Sequence, residues 1–150
     1  MGRLKQLRYW VPIILCWLTA RWVFHLQVVE VGENGSYFSV KDEDIISHEF
    51  IHSMYDVLVV ERFKVWDGSL ILFHVDSPSD AALEYYMIEK RHEGNVNRNI
   101  SEFCIPTSSI GRHILKIKNQ SISLGVSQTG GRRVCIRLTR LPMVYIKAYL

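Results

Sequence analysis

The sequence predicts an all-β domain, a small antiparallel sandwich or partly open barrel with one short helix over about 79–90, preceded by an N-terminal hydrophobic helix. Three observations carry this expectation. From residue 21 onward apolar side chains recur mostly at every second position, the period of a strand with one buried face. Turn sequences built on Gly, Asn and Asp break these runs at short intervals, as in a series of hairpins. Only "SPSDAALEYYMIEKR", from Ser77 to Arg91, places capping residues before good helix formers, with Leu83, Tyr86 and Met87 as its apolar positions.

The chain divides near residue 20. "MGRLKQLR" carries Arg3, Lys5 and Arg8, and the run from Tyr9 to Ala20 is apolar and uncharged. This is the pattern of a signal peptide or an uncleaved membrane anchor, although a full span needs about 20 residues. Leu18 sits where a cleavage site wants a small residue, and Cys16 follows Leu15, which argues against lipoprotein processing. The expected organisation is a signal or anchor over 1–20 and an extracytoplasmic β-domain over 21–150, with the basic flank kept inside.

In "WVFHLQVVEV", Trp22, Phe24, Leu26 and Val28 share one strand face, and Val23, His25, Gln27, Val29 and Val31 share the other. Asn34-Gly35 then signals a hairpin into "SYFSV". "DVLVVERFKVWDGSLILFHV" is the clearest hairpin, two β-rich runs around Asp67-Gly68. "HILKIKNQSISL" repeats the form with Asn119-Gln120 near its turn. "RRVCIRLTRL" is a strand stopped by Pro142, and "VYIKAYL" reads as a last one.

The net charge of +3 is largely the N-terminal flank, so the domain carries no electrostatic footprint for nucleic acid. Arg132, Arg133, Arg137 and Arg140 read as a solvated strand face. Cys104 and Cys135 fall in the exported part, where a disulfide is permitted; spacing leaves open whether they pair or stay as buried thiols.

"HEFIH", residues 48 to 52, matches the H-E-x-x-H pattern of zinc peptidases. On a helix His48 and His52 would bind zinc and Glu49 would activate water. This segment lies among strands, where four positions span roughly 13 Å and Glu49 points to the opposite face. His74, Glu84, His92 and His113 are available as a third ligand, and no pattern selects one. The expectation is therefore no metal and no cofactor, with a zinc-dependent hydrolase on His48, Glu49 and His52 as the alternative.

From Phe50 the match is to other motifs. "FIHSMYDVLVVERFKVWDGSLIL" resembles the signature region of the domain of unknown function 1850 family, with His52-Ser53 as its His-Ser pair, Glu61 as its glutamate and Gly68 at its turn. "SIGRHILKIKNQSISL" and "GGRRVCIRLTRLP" are similar to its later strands, and the ordered set covers about residues 22 to 142. Leu58 stands where the family usually has Pro, and "SPSDAALEYY" replaces a Gly-rich segment. The resemblance implies a small extracytoplasmic β-domain, often encoded beside fused permeases of the tripartite periplasmic transporter class, and supplies no reaction.

Glu61 shares its strand face with Val57, Val59, Phe63 and Val65, so an acid lies on an apolar face and needs a partner. The expected partner is His52 or the Ser53 hydroxyl across the short turn, in a hairpin that is structural or ligand-binding. The functional expectation is a non-enzymatic accessory or binding domain, membrane-anchored or secreted on the extracytoplasmic face, with a membrane permease as partner. A purely structural envelope protein is the third reading.

Overall fold

The computed structural model of the chain describes residues 10–19, 25–32, 35–88, 95–106, 113–124 and 133–142. Residues 10–19 are helical with exposed apolar side chains, and among the described residues no helix is long and apolar enough to cross a membrane. The remainder is antiparallel β-structure. The strands are β1 (His25–Val31), β2 (Ser36–Ser39), β3 (Ile45–His52), β4 (Val57–Trp66), β5 (Ser69–Asp76), β6 (Asn95–Ile100), β7 (Glu102–Pro106), β8 (Ile114–Ile117), β9 (Gln120–Ser123) and β10 (Arg133–Pro142).

They form two sheets, a four-stranded one in the order β2-β1-β10-β7 and a six-stranded one in the order β6-β5-β4-β3-β8-β9. The expected all-β sandwich is thus observed. Ser101 alone separates β6 from β7, so the chain turns a corner from one sheet to the other there. The core lies between the sheets. Val29, Val31, Val134, Ile136 and Ile105 face it from one side, and Ile46, Val59, Phe63, Val65, Leu70 and Leu115 from the other.

Local chemistry sets the hairpins. Asp67 and Gly68 both have positive φ, 47° and 74°, as a primed two-residue turn requires, and Trp66 faces Ser69 across it. The β1–β2 hairpin also forms, with Val31 opposite Ser36. The β8–β9 turn is Lys118-Asn119, one residue before the expected position, and Lys118 carries the positive φ. A four-residue loop, 53–56, joins β3 to β4 and fixes their register: His52 faces Val57, and four steps back His48 faces Glu61. In β5, Phe73 is bulged out between the pairs Arg62–His74 and Phe63–Leu72. The bulge lets Leu72 and Val75 both turn inward.

The helix is shorter than expected, Asp80–Tyr85 rather than about 79–90. Ser79 caps it, accepting from the Ala82 N–H at 3.4 Å. It stops because Met87 enters the left-handed region at φ 59°. Ile88 N–H then reaches the Leu83 carbonyl and Met87 N–H the Glu84 carbonyl, a Schellman closure with methionine where glycine is preferred. Met87 is 85% exposed, so its side chain contributes little packing. Met87→Gly is therefore expected to raise stability by about 1 kcal/mol, seen as a higher urea midpoint at unchanged m-value.

β6 and β7 were not expected. "NVNRNI" is poor in β-formers, and pairing with β5 overrides that local preference. Arg133, Arg137 and Arg140 are exposed on β10, as expected of a solvated face. The proposed strand at 144–150, Arg132, and the boundary region 20–24 lie outside the described residues.

Candidate functional site

The inner face of the six-stranded sheet is apolar except near one pole. There β3 contributes His48 between Ile46 and Phe50, and β4 contributes Glu61 between Val59 and Phe63. Register places the two side by side, and His48 Nδ1 lies 2.8 Å from Glu61 Oε2. The other carboxylate oxygen, Oε1, accepts from the Tyr86 hydroxyl at 2.6 Å. His113, immediately before β8, closes the chain, its Nδ1 3.0 Å from His48 Nε2. His48 and Glu61 side chains are 5% and 15% exposed, so this is a nearly dry polar chain inside a hydrophobic core.

The carboxylate sets the proton positions. It accepts from His48 Nδ1–H, and His48 Nε2 and His113 Nδ1 share one hydrogen bond in which one ring donates and the other accepts. The rings are held by stacking: His48 and His113 centroids are 5.3 Å apart with planes at 11°, and Phe50 lies 5.5 Å from His113 at 13°. Tyr86 is positioned by the Schellman turn that follows it, and Arg98 of β6 donates to its carbonyl at 3.1 Å. Burial, then the neighbouring Glu61 charge, pushes the Tyr86 hydroxyl far above the ordinary tyrosine range.

Burial and the adjacent His48 hold the His113 imidazole below its ordinary range, with Glu61 opposing in part. The sign of the consequence follows from linkage. Between about pH 6.5 and the lower folded value, the unfolded chain binds a proton at His113 that the folded chain does not. Stability is therefore expected to fall as pH drops below about 6.5. Urea midpoints from pH 7.5 down to 5.5 would show it, with a shallower decline in His113→Phe; equal slopes in the two proteins would contradict it.

Above this chain the sheets part into a cleft of about 740 Å³. Phe50, Phe63 and Leu72 wall it from one sheet, Phe103 and Ile105 of β7 from the other. Ser53 and Met54 of the 53–56 turn, with Tyr85, form its exposed rim. Behind the β7 wall, on the outer face of the sheet, Cys104 and Cys135 are directly opposed and joined in a disulfide. Of the two outcomes the spacing left open, the bridge is the one formed.

The sequence-derived site is partly rearranged. His52, Ser53 and Glu61 all line the cleft, but Glu61 bonds neither of the others. Its partners are His48 and Tyr86, because register puts His48 opposite Glu61 and leaves His52 opposite Val57. His52 instead accepts from the Met54 N–H at 3.3 Å and packs against Tyr55 and Tyr85, pinning the turn. Ser53 lines the cleft, and among the described residues no histidine hydrogen-bonds its hydroxyl.

The zinc arrangement also fails on geometry. The segment is strand, Glu49 faces outward to pair with Lys116, and both ring nitrogens of His48 are already engaged. Of the third-ligand candidates, His74 sits 3.4 Å from Asp76 at the end of β5, and His92 is outside the described residues. Among the described residues, the three side chains whose ligand atoms lie close enough to share an ion are Glu102, Cys104 and Cys135, and both sulfurs are committed to the disulfide.

His48, read from sequence as incidental to the motif, His113 and Tyr86 are the members that sequence reasoning did not place. The parity of β3 and the four-residue loop were the available signals for His48; nothing local marks His113 or Tyr86. Fold and site together define a two-sheet β-sandwich with a buried His–His–Glu–Tyr chain at the floor of an inter-sheet cleft. Compared with protein families, curated proteins and solved structures, the chain matches none.

Proposed function

We propose that this chain is an extracytoplasmic binding module that holds a small molecule in the inter-sheet cleft, tethered or exported by its N-terminal apolar segment. The observation that carries this is the His113–His48–Glu61–Tyr86 chain at the cleft floor. Buried polar chains contribute less to stability than apolar packing of the same volume, and a purely structural sandwich would place valine or leucine at these positions. A concave apolar cleft with a few convergent polar groups is the usual form of a ligand site.

The topology favours presentation away from a membrane. β1 begins at His25, opposite Pro142, and the β4–β5 turn lies at the same pole, with Gly68 next to Arg140. The cleft mouth is at the other end of β4, roughly 30 Å away. A domain held at its N-terminus would therefore open its cleft outward. The accessory role beside a permease of the tripartite periplasmic class rests on the motif resemblance at residues 50–68, and co-purification of the full-length chain with such a permease tests it.

Native mass spectrometry of the full-length chain from its own membrane tests the binding reading. A small non-covalent adduct is expected, and Ser53→Trp, which fills the mouth from an exposed turn, should abolish it. A bare polypeptide mass in both proteins would sink the reading. Stoichiometric zinc lost on His48→Ala would replace it with the hydrolase.

A further inference from the structure

Resting on the binding reading, we infer that the cleft selects a small organic cation, an ammonium head on an apolar or aromatic body, with Glu61 as its counter-charge. Three observations converge. Glu61 is the one formally charged carboxylate or cationic side chain among the described lining residues, and no lysine or arginine is among them. Its carboxylate is approached by two donors, Tyr86 and His48, which fix its position and leave acceptor capacity on a residue that lines the cleft. The walls are aromatic: Phe50, Phe63, Phe103 and Tyr86 line the interior, and His52 and Tyr85 pack edge to face at the mouth.

The described lining disfavours the opposite ligand charge. An anion entering this cleft would meet a carboxylate of low exposure and the negative faces of aromatic rings, with no described cation to offset either. An ammonium meets attraction from both, because aromatic faces draw cations and the drier cleft strengthens the pairing with Glu61. The apolar body then occupies the space between Phe50, Leu72, Phe103 and Ile105. The His48–His113 pair becomes the floor that orients Glu61.

Three probes with the same three-carbon chain on a phenyl ring and different head charge test this on the full-length chain: 3-phenylpropylammonium, 3-phenylpropanol and 3-phenylpropionate, followed by saturation-transfer NMR at pH 7.5. The expected order of affinity is cation, then alcohol, then anion, with about tenfold or more between the extremes. Glu61→Gln should reduce the cation's advantage over the alcohol to about threefold or less. The order in the unaltered protein decides the matter even where that variant fails to fold. Equal or tighter binding of 3-phenylpropionate overturns the charge assignment and leaves the cleft as a ligand site. Binding of none of the three overturns both this inference and the binding reading.

Discussion

Glu61→Leu is expected to lower the stability of the domain by about 3 kcal/mol, a fall in melting temperature of about 10 °C for a domain of this size. The residue accepts two short hydrogen bonds, from His48 and Tyr86, in surroundings that exclude most water. Bonds to a charged acceptor contribute about 1.5–3 kcal/mol each. Leucine would recover about 1–2 kcal/mol through apolar burial, but His48 Nδ1 and the Tyr86 hydroxyl would be left inside without partners, at about 1–3 kcal/mol each. The net is a loss. Replacing the whole chain, with His48→Phe, Glu61→Leu, Tyr86→Phe and His113→Phe together, removes the polar groups that bond one another and should restore most of it. Denaturant titrations of the single and quadruple variants make the comparison. A single-variant loss under about 1 kcal/mol would contradict the bonding described. A quadruple variant no more stable than the single would show that the polar chain is needed by the fold, and would weaken the case that it is kept for a ligand.

The strands of this protein are legible where two local signals agree. At Asp67-Gly68, alternation on both sides and a turn that favours positive φ specify a hairpin before any tertiary contact is considered. The β1–β2 hairpin follows the same logic, whereas the β8–β9 hairpin turns at Lys118-Asn119, one residue before the expected Asn119-Gln120. β6 and β7 lack both signals. "NVNRNI" is polar and asparagine-rich and is a strand only because β5 offers an edge to pair with. The helix end is the reverse case. Its composition continues toward residue 90, but Ile88 is drawn back into the core, and the backbone leaves the helix at Met87 to allow it.

The site was half legible. An acid on an apolar strand face predicts a buried partner, and Glu61 has one. Choosing that partner required the length of the loop, which one sequence does not declare. With a loop at 53–56, His48 faces Glu61; a shorter loop would have shifted every pair and offered a different neighbour. The "HEFIH" pattern obscured this, because it invites reading His48 with His52 along one chain rather than with Glu61 across two. His113 is 65 residues from His48, and Tyr86 is 25 from Glu61. Their approach depends on β8 pairing with β3 and on the Schellman turn after the helix, both set by the packed fold.

Opening the Cys104–Cys135 disulfide is expected to cost about 3–4 kcal/mol and to disable the cleft. The two residues are 31 apart in sequence, and closing a loop of that length in the unfolded chain removes entropy equivalent to about 3.7 kcal/mol. The consequence for the site comes from where the bridge lies. β7 is an edge strand held in its sheet by β10 alone, over the register Arg133–Pro106 to Arg137–Glu102. The disulfide is on its outer face, while its inner face presents Phe103 and Ile105 to the cleft. Phe103 in turn stacks on Phe63, with centroids 4.7 Å apart. Loosening β7 therefore releases one wall of the cleft and an aromatic contact beside Glu61. Cys104→Ala with Cys135→Ala, or reduction of the native protein, should lower the denaturant midpoint, and hydrogen exchange should show the amides of 103–105 losing protection ahead of β3 and β4. A uniform loss of protection across both sheets would mean that the bridge acts only by constraining the unfolded chain. Faster exchange confined to β7 would identify the bridge as the brace of the cleft wall, the outcome expected from an edge strand with one neighbour and one covalent tie.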